Sequence, residues 1–203
     1  MKKAFIVNYD CGNIQSLKSW LLSCSVRSTT IDCLSDFNYI TDNSIIILPG
    51  VGNFGQAINS INQKGFHEKL ISLFKNVPIL GICLGAQIML SESEESPFSK
   101  GLNIIKGKTI SLPKKDKPRI GWYKTNSNDK LLKPEIFDNF FYYNHSYYMV
   151  PSEVDGLITL ESNKYCAGYF YKKYIVGLQF HPERSQIVGK LVLNNILNYF
   201  GIK

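Results

Sequence analysis

The sequence has no long apolar run. No stretch approaches the roughly 20 residues that a membrane-spanning helix requires. The opening MKKAFIVNYD joins two lysines to an apolar run, AFIV, that is too short for the core of a secretory signal. Paired cysteines are missing as well. The five present, Cys11, Cys24, Cys33, Cys83 and Cys166, are odd in number, scattered and without a CxxC pair. That pattern argues against a disulfide framework or a zinc site and fits a reducing compartment. Internal repeats and low-complexity tracts are absent too. The expectation is a cytoplasmic protein with no membrane partner, no metal and no cofactor.

What is there is ordinary in bulk. Hydrophobic residues make up 44% and charged residues 19% of 203 residues, too apolar for disorder and long enough to bury a core. One globular domain over residues 1–203 is the simplest reading. The formal charge of +7 raises nucleic acid as a partner. The densest basic stretch, KGKTISLPKKDKPR (106–119), is interrupted by proline and reads as a solvated loop between strands, with a docking surface for an acidic partner or phosphorylated ligand as its alternative. No nucleic-acid-binding motif accompanies it, so no nucleic-acid partner is expected.

The first half alternates apolar runs with helical patterns. KAFIVNY, SIIILPG and VPILGI read as strands, NIQSLKSWLLSC and FHEKLISLF as helices. Continuous apolar strands separated by helices indicate a parallel sheet covered on both faces. After Gly101 the texture turns strand-like and aromatic, in TISL, PRIGWYKT, FFYYNHSYYMV, LITLES and YCAGYFYKKYIVGLQF. Residues 185–200 return to helix, with Ile187, Leu191, Ile196 and Phe200 near one face. The fold class expected is α/β, a single domain with a central mixed, mostly parallel sheet flanked by helices.

One local context demands chemistry. In PILGICLGAQIML, Cys83 ends an apolar strand between Gly81 and Gly85 and precedes AQIMLSES, which reads as the start of a helix. Small flanking residues permit a sharp strand-to-helix turn on which a nucleophile stands clear of the sheet. A helix N-terminus there favours thiolate over thiol and offers free backbone N–H groups, beginning with that of Leu84, to a developing oxyanion. Tight packing of a strand–helix joint explains the same glycines equally well.

A cysteine nucleophile needs a base, and the chain has three histidines. His67 falls inside a helix, where a surface or core role suffices. His145 lies in an aromatic strand, where packing suffices. His181 differs: in GLQFHPERS it ends an apolar strand, Pro182 holds it extended, and Glu183, two residues on, can project beside its ring. Cys83 as nucleophile, His181 as base then acid, and Glu183 as orienter make a coherent set.

PILGICLGAQ and GLQFHPERS together resemble the class I, triad-type glutamine amidotransferases. NYDCGNIQSL, LPGVGNFGQA, RIGWYKT and YNHSYY extend the resemblance, in order and over essentially the whole chain, to the glutaminase subunits of imidazole glycerol phosphate synthases. The resemblance implies attack on L-glutamine, a glutamyl thioester and released ammonia. It makes Cys83, His181 and Glu183 the triad. It places the second oxyanion donor in Pro49-Gly50-Val51-Gly52, at the N–H of Val51 or Gly52, and the substrate's amino-acid end at Gln87 and Glu95. It further implies that Ser146 and Tyr147 occupy the segment whose backbone lines the same pocket. It also implies a (β/α)8-barrel synthase as heterodimer partner, receiving the ammonia.

The chain departs from the family's histidine-pathway pattern at Asn8 (usually Asp), Asp10 (Gly), Ala86 (Met), Arg119 (His), Tyr123 (Asn) and Arg184 (Lys). None is in the triad. They leave a second acceptor open, the amidino sugars of surface polysaccharides. Two other readings place a thiol peptidase on the same turn, or a non-catalytic scaffold subunit.

Overall fold

The computed structural model describes residues 2–41, 43–125, 140–160 and 163–202. Five parallel strands form the body of a seven-stranded sheet: β2 (Arg27–Ile31), β1 (Lys3–Val7), β3 (Ser44–Leu48), β4 (Ile79–Ile82) and β12 (Ile175–Leu178), in that spatial order. Antiparallel β11 (Asn163–Lys172) and β10 (Gly156–Leu160) complete it beside β12. The mixed, mostly parallel sheet expected from the apolar runs is therefore present. Glu161 and Ser162 of LITLES lie outside the described residues.

Apolar residues along β1, β3 and β4 are buried in succession because both faces are covered. Ala4, Ile6, Ile45, Ile47, Leu80 and Ile82 face one core, shared with α1 (Ile14–Ser23) and α5 (Gln186–Tyr199). Phe5, Val7, Ile46, Leu48 and Ile79 face the other, shared with α2 (Phe54–Gln63) and α3 (Phe66–Leu73). The edge strand β2, RSTTI, buries fully only Ile31, as its polar composition requires. Asn13 and Asn53 start α1 and α2 as side-chain caps, accepting from the N–H groups of Ser16 at 3.0 Å and Gln56 at 3.1 Å.

Beside the main sheet, β5 (Glu92–Ser93), β6 (Gly107–Ser111) and β9 (Tyr147–Pro151) make one small sheet. β7 (Arg119–Lys124) and β8 (Phe140–His145) make another. The aromatic run FFYYNHSYYMV is thus not one strand. It splits at Ser146, so that one wall of a cavity is made by the joint between β8 and β9.

Two expectations are corrected. The segment after Cys83 does not continue as a helix: α4 is one turn, Leu84–Gln87. The carbonyls of Ile88, Met89, Leu90 and Ser91 are taken by N–H groups of residues 101–105, a tertiary connection that replaces the helical ladder. On α5 the buried side is Gly189, Val192, Leu193, Ile196 and Leu197, while Ile187 is 75% and Leu191 38% exposed. Gly189 sets this rotation, because a Cβ there would lie 1.8 Å from the Pro182 carbonyl oxygen. The helix lies directly against the His181–Ser185 turn.

Candidate active site

Strand β4 delivers Cys83 to the carboxyl edge of the parallel sheet, the edge where open α/β sheets hold ligands. Cys83 has φ 49° and ψ −108°, a strained conformation for a non-glycine residue, costing on the order of 1–3 kcal/mol. The surroundings hold it there. Its N–H donates to the Leu178 carbonyl at 2.7 Å, and its own carbonyl accepts from Ala86 and Gln87, both at 3.0 Å.

The neighbouring glycines answer a packing need that coexists with chemistry. A Cβ on Gly85 would lie 1.9 Å from the Leu48 carbonyl oxygen, on Gly81 2.7 Å from the Ala86 backbone, and on Gly50 2.5 Å from the Gly85 nitrogen. Only glycine lets the turn settle between the ends of β3 and β4. Packing and nucleophile presentation therefore require the same residues.

His181 leaves the end of β12 almost completely buried. Its Nδ1 lies 2.8 Å from Glu183 Oε1, which fixes the ring and leaves Nε2 as the nitrogen available to sulfur. Burial pushes the His181 pKa down. The charge and proximity of the Cys83 sulfur and the Glu183 carboxylate outweigh burial and raise it to about 10. Nε2 and Glu183 Oε2 are both buried with no hydrogen-bond partner among the described residues. The turn is braced by Ser185, whose hydroxyl donates to the His181 carbonyl at 2.6 Å and accepts from the Tyr142 N–H at 3.1 Å.

Cys83 opens on a cavity of about 210 Å³ lined by Val51, Gly52, Leu84, Gln87, Glu95, Asn144, His145, Ser146 and Tyr147. All the residues expected at an oxyanion or substrate site line this one space. An engineered apolar cavity of about 150 Å³ holds benzene, so the volume suits a small amino acid. Leu84 begins α4, where N–H groups lack helical acceptors. Gly52, at φ 134°, bends the opposite lip, and Val51 stands 44% exposed. Gln87 is buried, donating from Nε2 to the Tyr147 carbonyl at 2.8 Å. Glu95 Oε2 accepts from the Phe54 N–H at 2.7 Å, at the start of α2.

Two residues passed over in the sequence belong here. Gln179, fully buried, donates from Nε2 to Cys83 Sγ at 3.7 Å and accepts from Gln87 Nε2 at 3.3 Å. The signal available was its place two residues before His181, in the bend that follows β12. His145, read as packing, lines the cavity. Its Nδ1 donates to the Tyr147 carbonyl at 2.8 Å, a tautomer dictated by an acceptor-only partner. Burial pushes its pKa down to about 4, so it is neutral at pH 7. His67 is half-buried on α3, 3.2 Å from Glu68 and apart from the cavity.

A second cavity of about 350 Å³ lies beside the triad, lined by Asn13, Ser16, Pro49, Val51, Ile82, Asn144, His181, Glu183 and Arg184 among others. Among the described residues no group of three or more His, Cys, Asp or Glu side chains is placed to hold a metal ion. None of their helices is long and apolar enough to cross a membrane.

Residues 6–197 match the class-I glutamine amidotransferase family. The chain is 35% identical to imidazole glycerol phosphate synthase subunit HisH of Chlorobaculum tepidum, over 96% of this chain and 99% of that protein. It is 34% identical to subunit HisH of Pyrococcus furiosus, over 96% and 98%. A crystal structure of a glutamine amidotransferase superposes with a TM-score of 0.76 at 11% identity, covering 97% of this chain and 98% of that one. PurLQS from Thermotoga maritima superposes with a TM-score of 0.72 at 20% identity, covering 98% of both. These superpositions speak for the fold, and the sequence matches go further: the chain belongs to the class-I glutamine amidotransferases.

Proposed function

We propose that the chain, over residues 1–203, is the glutaminase subunit of an imidazole glycerol phosphate synthase, acting through Cys83, His181 and Glu183. One observation carries the reading: the strained Cys83 turn opens on a cavity lined by Gln87 and Glu95, while the His181–Glu183 pair lines the neighbouring cavity, close enough to the Cys83 sulfur for it to raise the His181 pKa. Cys83 Sγ attacks the carboxamide carbon of L-glutamine while His181 Nε2, its pKa raised to about 10, holds the proton the thiol has given up. The oxyanion is met by the Leu84 N–H and by the N–H of Val51 or Gly52. The tetrahedral intermediate collapses, and His181 hands its proton to the departing ammonia. Water, deprotonated by the same imidazole, then cleaves the glutamyl thioester to glutamate and frees the thiol.

Glu183 orients the ring through Nδ1 and stabilises the imidazolium. Gln87, Glu95 and the Ser146–Tyr147 backbone seat the amino-acid end of the substrate. Ammonia passes to a (β/α)8-barrel synthase, the heterodimer partner. The relatives carry the histidine-pathway name, which favours that acceptor over amidino sugars. The location is the cytoplasm, where a reducing environment keeps the five free thiols usable. The test is ammonia release from glutamine by the purified chain, alone and with a barrel synthase. Release that depends on Cys83 supports the reading, and undiminished release by Cys83→Ala overturns it.

A further inference from the structure

Three polar contacts join the substrate side of the cavity to the nucleophile. The Tyr147 carbonyl accepts from Gln87 Nε2 at 2.8 Å, Gln179 Oε1 accepts from the same nitrogen at 3.3 Å, and Gln179 Nε2 donates to Cys83 Sγ at 3.7 Å. A carbonyl can only accept, so the Tyr147 oxygen fixes which end of the Gln87 amide faces it. That orientation dictates the next: a donor from Gln87 requires the oxygen of Gln179, and the Gln179 nitrogen is left for the sulfur. Both N–H bonds of Gln87 are thereby used, leaving its Oε1 as the only atom of that amide free to meet a ligand. The line of dipoles points one way and ends in a donor aimed at the atom that carries negative charge when it reacts.

We propose that Gln179 is a positioning residue for the reaction, tying the Gln87 side chain to the Cys83 sulfur so that pocket and nucleophile are set by one relay. Gln179 is immobile enough for this task. It is fully buried, and its N–H donates to the Gly168 carbonyl at 2.8 Å on the neighbouring strand β11. It stands two residues before His181 in the segment that follows β12, so sulfur meets a base and a donor from the same stretch. Through Gln87, a ligand that displaces the Gln87 amide also displaces the donor on sulfur. The inference rests on the glutaminase reading for its pocket arm, and for its sulfur arm on geometry alone.

Two variants separate the arms. Gln179→Glu keeps an acceptor for Gln87 and removes the N–H toward sulfur; Gln179→Met removes both at similar size. Alkylation of each protein by iodoacetamide at pH 6, followed at the Cys83 peptide by mass spectrometry, reads the sulfur without reference to glutamine. The exposed Cys33 on the same chain serves as internal control, and circular dichroism checks the fold. Cys83 alkylation is expected to slow about tenfold in both variants with Cys33 unchanged. Inactivation by 6-diazo-5-oxo-L-norleucine then reads the pocket: Gln179→Met is expected to weaken its concentration dependence severalfold more than Gln179→Glu. Unchanged Cys83 alkylation in folded variants would overturn the relay, as would identical inactivation curves for the two. Loss of ammonia release is a separate result. If the wild type ignores the diazo analogue, the glutaminase reading fails while the alkylation rates still decide the relay at sulfur.

Discussion

Two neighbouring cavities, which share Val51 and Asn144 as lining, each carry a buried histidine, and the two imidazoles are driven in opposite directions. On the β12 wall, burial is overcome by the Cys83 sulfur and Glu183, and the His181 pKa rises to about 10. On the β8 wall, His145 has the Tyr147 carbonyl as its hydrogen-bond partner and no carboxylate beside it among the described residues, and burial carries its pKa down to about 4. Depth is the same on both sides; the partner differs. An imidazole becomes a proton carrier when a carboxylate holds it, and a fixed hydrogen-bond donor when a carbonyl does.

Variants on the two walls should separate accordingly. Removing the nucleophile at the end of β4 or the imidazole after β12 has the largest effect: Cys83→Ala or His181→Asn is expected to lower glutaminase turnover by about ten-thousand-fold or more. Glu183→Gln keeps the shape but misorients the ring, with a fall of roughly a thousandfold in kcat and little change in KM. On the β8 wall, His145→Asn retains a donor for the Tyr147 carbonyl, so kcat should hold within several-fold while KM rises. A His145→Asn enzyme as dead as His181→Asn would show that the two walls do not divide the work.

The lips differ as well. Gly85→Ala forces a Cβ against the Leu48 carbonyl and should cost about 4 kcal/mol or more, read as a lowered Tm. Gly52→Ala meets nothing closer than 3.7 Å and bears only the strain of φ 134°, about 1–2 kcal/mol. Its activity should suffer more than its stability.

The smallest effect is pH-linked stability. His181, raised from 6.5, contributes stability that is fully present below pH 6.5 and lost as pH rises through about 10. His145, lowered from 6.5, contributes stability present above pH 6.5 and lost as pH falls through about 4. Urea midpoints measured from pH 4 to 10 should show His181→Asn flattening the alkaline limb and His145→Asn the acid one.

Several features were legible because they are local. The apolar runs at 44–48 and 79–82 announced buried parallel strands, and HPE announced its own hydrogen bond, since His181 and Glu183 are two residues apart. Others were misread for an equally physical reason. The helix expected after Cys83 gives way after one turn because residues 101–105 claim its carbonyls. The α5 face turns about Gly189 because of a carbonyl seven residues earlier in the chain.

Cys83, His181 and Glu183 could be named from residue types and spacing, since a strand end, a proline and a two-residue interval constrain the backbone directly. Their meeting could not. It depends on β12 pairing with β4, almost a hundred residues distant along the chain, which brings Cys83 under the Leu178 carbonyl and Gln179 against its sulfur. Arg119 shows the same division. Its basic neighbours suggested a solvated loop, yet its own side chain is buried opposite His145 across a strand pair. Sequence lists the groups that can do chemistry; strand register decides which of them touch, because contacts between distant segments are fixed by packing and hydrogen-bond pairing that no short stretch of chain encodes.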